Sequence, residues 1–408
     1  GPAEDNIVIG NTIIGGVDVI GAMQYGIITR NNRIGGPTPA ERNVISGAGH
    51  YGEEGFPTGE QISIVDADGT LVEGNYIGTT VDGMQAYSPQ IGPYGVEVRD
   101  ARGTTIRDNV IAGLHVVGVN HYNGQVFGEA IHVGAVNADT DLTVIQGNTI
   151  GLAADGVTPI VTRSGIVVSP STSFYHAFST RIASNHIASV ETTGVVVSSQ
   201  ETGVTITGNS IHDCGGLGID LFFGNFAGVG GITPNDPGDG DTGGNGLQNF
   251  PVIVGANPGA VTGTLDTTPN AAFVLEFFAS PACDPTGFGE GENLVGSSTV
   301  TTDATGHADF ATPLSPGVAE GWVVTATATR VLTGDTSEFS ACIAVTSAVL
   351  PGDIDGDGDV DGSDLDVFVA VLLGLVTDSQ HLQRSDVNSD GMVNGLDTQL
   401  FVNALIGL

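Results

Sequence analysis

Lysine is absent from this 408-residue sequence, and all ten basic residues are arginines. Aspartate and glutamate together number 46, so the formal net charge is −36. A surface of this sign repels nucleic acid and anionic membranes, which excludes both as partners. It favours calcium binding, and it also fits a salt-adapted or a very soluble secreted protein.

Long apolar runs and cysteines are scarce as well. No apolar segment reaches the ~18 residues of a membrane span, so no membrane insertion is predicted. Cys283 and Cys342 fall in one predicted domain and can pair there, which fits a secreted or cell-surface protein in an oxidising environment. Cys214 is then left single and is expected to be buried. The opening Gly1-Pro2 is typical of a protease-cleavage scar, so a natural signal peptide cannot be judged from this sequence.

Glycine is abundant, at 63 residues, while methionine is rare and helical periodicity is weak. This composition predicts a mainly β protein with many turns. Two patterns then repeat along the first half of the chain. The first is Asn-x-Ile, which begins at Asn11, Asn43, Asn75, Asn109, Asn148, Asn185 and Asn209. The second is a short alternating apolar run, found at 26–29, 61–64, 95–98, 130–133, 165–168, 194–197 and 218–221.

Each repeat holds two or three short strands and cannot bury an apolar face alone, whereas stacked repeats enclose a continuous core. This predicts a parallel β-helix of about seven coils over residues 1–230. The asparagines are expected at sharp corners, in left-handed conformation, bonded to the asparagine of the next coil. Segments such as RNVISG and GNYIGTTVDG resemble the bacterial right-handed β-helix repeats related to pectate-lyase-like proteins. That resemblance covers about residues 5–230 and implies the fold.

The pattern changes after the last repeat. Residues 231–248 are rich in turn formers and aspartate, which predicts a cap or linker. Residues 249–348 read as separate strands with glycine and proline turns, which predicts an immunoglobulin-like β-sandwich. Its expected role is structural support, because Trp322 and the phenylalanines alternate as core residues do.

Two acidic twelve-residue segments dominate the C-terminal part, DIDGDGDVDGSD (353–364) and DVNSDGMVNGLD (386–397). Oxygen donors fall at positions 1, 3, 5, 7, 9 and 12 of each, the order in which Ca²⁺ loops present ligands, with the backbone carbonyl at position 7. The first set is Asp353, Asp355, Asp357, Asp359, Asp361 and Asp364. The second set is Asp386, Asn388, Asp390, Met392, Asn394 and Asp397. Gly358 and Gly391 occupy the sharp turn.

Each acidic loop leads into a predicted amphipathic helix, with an apolar face formed by Leu365, Phe368, Val369 and Leu372 in the first and by Leu400, Phe401, Ala404 and Leu405 in the second. Duplicated calcium loops of this kind resemble a type I dockerin over residues 351–408. The resemblance implies a small α-helical module with two Ca²⁺ ions and a cohesin module as partner. Dockerins often bind cohesin through the two residues just before the position-12 ligand. Here these two residues are Gly362-Ser363 and Gly395-Leu396, unlike the Ser-Thr pairs of many cellulosomal dockerins. A domain that is only stabilised by calcium is the alternative.

The middle residue of each alternating apolar run should point outward when its neighbours point into the core. Taken coil by coil, that column is Ile28, Ser63, Glu97, His132, Val167, Val196 and Asp220. Since coils stack about 4.8 Å apart, Glu97 and His132 should be neighbours. Polar segments flank this column. The segment 49–60 carries His50, Glu53, Glu54 and Glu60, and the short segment 65–69 carries Asp66 and Asp68. The segment 113–129 carries His115, His121, Tyr122 and Glu129.

Glycoside hydrolysis needs two carboxyl groups about 5–10 Å apart, one protonated and one ionised. Glu97 is the predicted first member, with the second drawn from Asp66, Asp68, Glu53 and Glu54. His132 completes the catalytic candidates, and Tyr94, Arg99, His121 and Tyr122 are the candidates for substrate binding. β-Elimination would instead use His132, Tyr122 or Arg99 as base and Arg or a further Ca²⁺ site in the β-helix as neutraliser. A surface ion pair between Glu97 and His132 is the structural alternative.

The sequence therefore predicts a secreted, modular, polysaccharide-directed protein. The favoured activity is that of an endo-acting glycoside hydrolase on a neutral or weakly charged glycan. The alternatives are a calcium-assisted polysaccharide lyase and a non-catalytic glycan-binding or adhesin scaffold. These activities are inferred from the architecture and from the kinds of module that occur together in the chain. The sequence has none of the Asp pairs, GHG strings or DPHE strings of known β-helix enzymes.

Overall fold

Three parallel sheets of seven strands each surround one apolar core in the N-terminal half of the protein. The computed structural model describes residues 4–22, 27–51, 57–88, 92–115, 128–170, 174–198, 200–221, 231–346, 352–356, 359–388 and 390–406. Every strand in these sheets pairs with its counterpart one coil away, as a β-helix requires.

The first sheet contains Ile7–Val8, Arg33–Gly35, Leu71–Glu73, Thr105–Arg107, Val144–Gln146, Arg181–Ala183 and Thr205–Thr207. The second contains Thr12–Ile14, Val44–Ser46, Tyr76–Ile77, Val110–Ile111, Thr149–Ile150, His186–Val190 and Ser210–Cys214. The third contains Val17–Ile20, Ile62–Val65, Tyr94–Arg99, Glu129–Gly134, Ser164–Val168, Val195–Val197 and Ile219–Leu221. The predicted parallel β-helix of seven coils is thus confirmed.

The β-helix core consists of aliphatic side chains stacked one coil above another. In the second sheet the stack is Ile45, Ile77, Ile111, Ile150, Ile187 and Ile211, each at most 1% exposed. These are the isoleucines of the Asn-x-Ile pattern. The repeat is therefore explained by packing, because a β-branched side chain suits the pleated strand and fills the space between coils.

The asparagines of the same pattern form a continuous ladder. In its middle, the Asn75 side-chain amide donates to Oδ1 of Asn109 at 3.0 Å, and Asn109 donates to Oδ1 of Asn148 at 3.0 Å. The backbone N–H of each asparagine donates to the same acceptor, at 2.9 Å from Asn75 and 3.1 Å from Asn109. The prediction of left-handed asparagines is wrong. The positive φ belongs to the preceding residue, such as Gly74 or Asp108, which makes the corner and leaves the asparagine free to point inward.

A short fourth ladder carries charges of alternating sign along the stack. Glu4, Arg30, Asp68, Arg102 and Asp141 follow one another in register, through the parallel pair Thr29–Arg30 with Ala67–Asp68 and isolated bridges. Arg30 lies 3.4 Å from Glu4 and 3.9 Å from Asp68, and Arg102 lies 3.6 Å from Asp141. Two further pairs complete the strands of this half, Thr140–Asp141 with Ala177–Phe178 and the antiparallel His50–Tyr51 with Pro57–Thr58.

Two antiparallel sheets follow the β-helix and face each other as a sandwich. One contains Val252–Asn257, Ala260–Asp266 and His307–Pro313. The other contains Asn293–Thr301, Ala272–Ser280, Val323–Arg330 and Ile343–Ala344. Cys283 and Cys342 form a disulfide, and Cys214 is free and buried. Trp322 packs against the sandwich core, as its alternating position indicated.

The sandwich is joined to the last coil of the β-helix, and both belong to one unit that spans Gly1–Val345. Phe278 and Phe339 of the sandwich pack edge to face, 5.4 Å apart, within the β-helix core. Backbone N–H groups of the last coil donate to sandwich carboxylates. Gly208 donates to Glu276 at 3.1 Å, Cys214 to Glu290 at 2.8 Å and Leu221 to Glu338 at 3.0 Å. These N–H groups have no further coil to pair with, so the carboxylates satisfy them.

The described part of a second unit, Thr346–Leu408, contains three helices: α1 (Gly362–Leu372), α2 (Ser379–Ser385) and α3 (Gly395–Leu405). Helix α2 was not predicted. The small core of this unit is formed by Ile354, Phe368 and Phe401, and the two phenylalanine rings stack 4.4 Å apart.

We expect Asn109→Ala to lower the free energy of unfolding of the Gly1–Val345 unit by about 2–4 kcal/mol, because it leaves buried donors and acceptors of two neighbouring coils without partners. Denaturant unfolding of the full chain in saturating calcium measures this. Asn11→Ala is the control, since Asn11 is exposed at the end of the ladder and water can replace its bonds. Equal losses in the two variants would contradict a stabilising ladder.

The sandwich carboxylates also predict how stability depends on pH. Burial raises the pKa of Glu338 to about 8. The folded protein therefore keeps a proton that the unfolded chain has already released, so this stabilisation is full below about pH 4.5 and is lost as the pH rises through about 8. The melting temperature should fall between about pH 5 and about pH 8, and less steeply in Glu338→Gln. Asp303→Asn is the control, because the pKa of Asp303 is about 2 and lies outside this interval. An unchanged slope in Glu338→Gln would reject the assignment.

Candidate functional site

The outward residues of the third sheet form the predicted column in register, with one correction. Ser63, Glu97, His132, Val167, Val196 and Asp220 are aligned from coil to coil. The first member is Asp18, not Ile28, because the strand that pairs with Ile62–Val65 is Val17–Ile20. The polar centre of the column is as expected.

Three coils carry a polar surface that we call the central patch. Its members are Glu60, Ser63 and Val65 on the second coil, Tyr94, Glu97 and Arg99 on the third, and Glu129, His132 and Gly134 on the fourth. The pairing of Tyr94 with Glu129, Glu97 with His132 and Arg99 with Gly134 fixes this arrangement. Although these residues lie on the outer face of the sheet, Glu97 is only 5% exposed and His132 only 9%.

Glu97 stands at the centre of the patch. Its Oε1 accepts a hydrogen bond from Arg99 at 3.1 Å, and its Oε2 accepts one from Ser63 at 3.4 Å. Burial raises the pKa of Glu97, with a contribution from the negative charge of Glu60, and this outweighs the lowering by Arg99 and His132. Glu97 is therefore a carboxyl group that retains its proton more readily than an exposed glutamate does.

His132 interacts with both neighbours in the patch. Its Nδ1 lies 2.7 Å from Oε2 of Glu129, and its ring stacks on Tyr94 with centroids 4.6 Å apart. Burial lowers the pKa of His132, but the Glu129 carboxylate and the charge of Glu97 raise it by more. Burial, with the charges of Glu129, Glu97 and Glu60, also raises the pKa of the Tyr94 phenol. One face of Tyr94 is thus covered by His132.

Gly134 makes room for this arrangement. A Cβ atom at Gly134 would lie 2.8 Å from Nε2 of His132. The absence of a side chain lets the imidazole lie over this position, next to Arg99 on the coil below. Arg99 has a side-chain exposure of 35%, so ligands would reach the patch from its side.

The remaining predicted residues lie in different places. Asp66 follows the third-sheet strand in left-handed conformation, and its backbone N–H donates to the Arg99 carbonyl at 3.2 Å. Asp68 belongs to the alternating charge ladder. The predicted Glu53, Glu54, His121 and Tyr122 lie outside the described residues, as does Asp357 of the first acidic loop.

Sequence reasoning noted Glu60 and Glu129 in flanking loops but did not select them. A regular signal was available, since each lies three residues before a member of the outward column, as Tyr94 does. The three residues Glu60, Tyr94 and Glu129 thus form a second column beside the first. Glu129 rather than Glu97 is the hydrogen-bond partner of His132, so the predicted Glu97–His132 ion pair is replaced by two separate pairs.

The first acidic loop of the second unit gathers its carboxylates. Ligand oxygens of Asp353, Asp355 and Asp364 lie within 4.8 Å of one another, and so do those of Asp359, Asp361 and Asp364. Asp364 is fully buried, and its Oδ1 accepts N–H bonds from Ile354 at 2.6 Å and Asp355 at 3.0 Å. The loop therefore wraps around the position-12 side chain.

The second loop repeats this geometry. Asp397 is also fully buried, and it accepts from the backbone of Asn388 at 3.1 Å and Asn394 at 2.9 Å. Asp364 and Asp397 each complete a capping box at the start of α1 and α3. The same residue thus closes the loop and starts the helix in both copies.

The apolar faces of these helices are only partly buried. Phe368 and Phe401 pack together, but Leu365, Val369 and Leu372 are between 38% and 43% exposed. Two short helices offer too little surface to cover more than the phenylalanines. Part of the predicted apolar face of α1 therefore remains exposed.

The family model of the dockerin type I domain matches residues 351–406. This segment is a type I dockerin. Dockerins of this type bind Ca²⁺ and cohesin modules, and the proteins that carry them are generally extracellular or cell-surface components of cellulosomes. The clustered oxygen donors of the first loop fit a Ca²⁺ ion, which prefers six to eight hard oxygen ligands. Within the described residues, no helix combines the length and apolar character of a membrane span.

No curated protein sequence matches the chain. Among solved structures, the surface adhesin PfbA of Streptococcus pneumoniae matches 62% of this chain and 66% of its own, at 10% identity and a TM-score of 0.24. Tailspike protein 2 of Escherichia coli O157:H7 bacteriophage CAB120 matches 85% of this chain and 50% of its own, at 9% identity and 0.24. The alginate lyase of Paenibacillus sp. str. FPU-7 matches 49% and 94%, at 12% identity and 0.17. This chain thus spans less than two thirds of the length of the adhesin, and it spans half the length of the tailspike. Similarity this low carries no argument about activity.

We expect the dockerin to take up two Ca²⁺ ions and to lose helix content when a chelator removes them, because the loop carboxylates then repel one another. Calorimetry counts the ions, and far-ultraviolet circular dichroism follows the helices. Asp364→Asn should weaken calcium uptake by the first loop. The control Asp366→Asn removes an exposed carboxylate on the same helix and should change little. Uptake of no calcium by the wild-type chain would refute the prediction.

Proposed function

We propose that the β-helix is an endo-acting glycoside hydrolase for a neutral or weakly charged polysaccharide, and that the dockerin attaches it to a cohesin module outside the cell. The observation that carries the proposal is the environment of Glu97. A carboxyl group with a raised pKa, held by Arg99 and Ser63 on a solvent-side sheet face, suits a general acid.

The reaction needs a second carboxylate, for which we propose Glu60. Its negative charge acts on Glu97, and it belongs to the acidic segment 49–60 that precedes the Ser63 strand. In hydrolysis, Glu97 donates its proton to the glycosidic oxygen while the bond from that oxygen to the anomeric carbon breaks. Glu60 then either attacks that carbon or takes a proton from the attacking water.

The other members of the patch serve to bind and position. Arg99 supplies hydrogen-bond donors at the accessible side of the patch, where sugar hydroxyls would approach. Tyr94 is the candidate for stacking on a sugar ring. The Glu129–His132 pair holds Tyr94 from one face.

A polysaccharide lyase is the second candidate, because Tyr94, His132 and Arg99 combine candidate bases with a positive charge in one patch. The protonation states argue against it. The raised pKa values of His132 and Tyr94 favour the protonated form of each, whereas elimination needs a base. The carboxylates of Glu60 and Glu129 would also repel a uronate.

The dockerin has a surface suited to a protein partner. Leu365, Val369 and Leu372 of α1 are exposed, and Leu396 of α3 is 69% exposed. Exposed apolar side chains of this kind mark interaction sites. We propose that a cohesin covers them, although Gly362-Ser363 and Gly395-Leu396 differ from common recognition pairs.

A panel of glycans tests the activity, with new reducing ends and the absorbance of unsaturated products measured in parallel. Hydrolysis gives reducing ends alone, elimination gives both signals, and a glycan-binding scaffold gives neither. We expect Glu97→Gln to lower the rate by about 10²–10⁴-fold without loss of the fold. Glu73→Gln is the matched control, since Glu73 is a buried glutamate bonded to Arg107 at 2.6 Å on the first sheet. Full activity in Glu97→Gln would reject the assigned acid.

A further inference from the structure

Two histidines face each other on the outer surface of the last two coils, away from the central patch. His186 and His212 lie on adjacent strands of the second sheet, and their Nε2 atoms are 2.9 Å apart. The rings are tilted by 39°, with centroids 5.1 Å apart. Two imidazole nitrogens that point at each other need a shared proton or a shared cation between them.

The neighbouring carboxylate decides which nitrogen of His212 is available. Nδ1 of His212 lies 2.8 Å from Oδ2 of Asp213. Since the carboxylate accepts the Nδ1 proton, the lone pair of His212 is on Nε2 and faces His186. A carboxylate behind an imidazole in this way is the usual support of a metal-bound histidine, because it fixes the tautomer and the ring.

An acidic residue of the sandwich lies in the same region. Gly291 and Ile211 exchange two backbone hydrogen bonds of 2.8 and 2.9 Å, which places the following Glu292 beside Ser210. Ser210 is the register partner of His186. Ser210 and Glu292 both line a cavity of about 600 Å³. Glu292 therefore lies next to the strand position that pairs with His186.

We propose that His186 and His212 bind a divalent transition-metal ion such as Zn²⁺, with Glu292 contributing the negative charge of the site. Imidazole nitrogens are preferred ligands of Zn²⁺. Two nitrogens at about 2.0–2.1 Å from one tetrahedral ion are roughly 3.3 Å apart, so the observed separation requires only a small shift. The bound ion would bridge the last two coils of the β-helix.

The test is a titration of the full chain with ZnCl₂ after chelation, in saturating calcium so that the dockerin loops are filled. Wild-type protein should bind Zn²⁺ at this site, and His186→Gln or His212→Ala should weaken that binding at least tenfold. Asp213→Asn should weaken it about 10–100-fold, since only the supporting hydrogen bond changes. The absorption spectrum of bound Co²⁺ reports the nitrogen ligands independently.

His307→Ala is the matched control. His307 has the same contact with an aspartate, 2.7 Å from Asp266, but among the described side chains no second imidazole faces it, so Zn²⁺ binding should be unchanged. Near-ultraviolet circular dichroism confirms that each variant is folded. If the wild-type chain and His186→Gln bind Zn²⁺ with equal affinity and stoichiometry, or if neither binds it, the proposal is overturned and the contact is a hydrogen bond alone.

Discussion

Coil-to-coil register is the constraint on which the rest of this protein depends. Each strand of the β-helix is hydrogen-bonded to its counterparts above and below, so one residue of slip would turn the apolar column outward. The isoleucine stacks and the asparagine ladder both oppose such a slip, one by packing and the other by directed hydrogen bonds. Because the register is fixed, Glu97 has Ser63 on one side and His132 on the other.

The same constraint explains why a candidate site on this β-helix is formed by residues stacked from coil to coil rather than by residues close together in sequence. Residues more than thirty positions apart in sequence, such as Glu97 and His132, become neighbours at the spacing of two strands. Burial then alters their acid–base properties, raising the pKa of Glu97 while Glu129 raises that of His132. A rigid sheet with displaced pKa values is a suitable support for acid catalysis.

Much of this could be predicted from the sequence, because the repeat reflects packing directly. The seven Asn-x-Ile motifs, the strands of the third sheet from Ile62 onward and the long sandwich strands lie where expected. The first coil was misassigned because 17–20 and 26–29 both alternate, and only the pairing partner distinguishes them. Glu129 was not selected because sequence gives its position but not the direction of its long side chain. In the dockerin, the periodicity of Leu365 and Val369 predicted an apolar helix face, but periodicity does not show whether the rest of the chain covers that face.

The carboxylates of the sandwich have a consequence for the behaviour of the protein in solution. A parallel stack ends in a row of open amide groups, and such a row can recruit the strand of another molecule and so begin a fibre. Glu276, Glu290 and Glu338 occupy that row, and the side chains of Phe278 and Phe339 plug the core behind it. The sandwich thereby acts as a terminator at this end of the stack, which keeps a structure built by repetition from propagating into its neighbours.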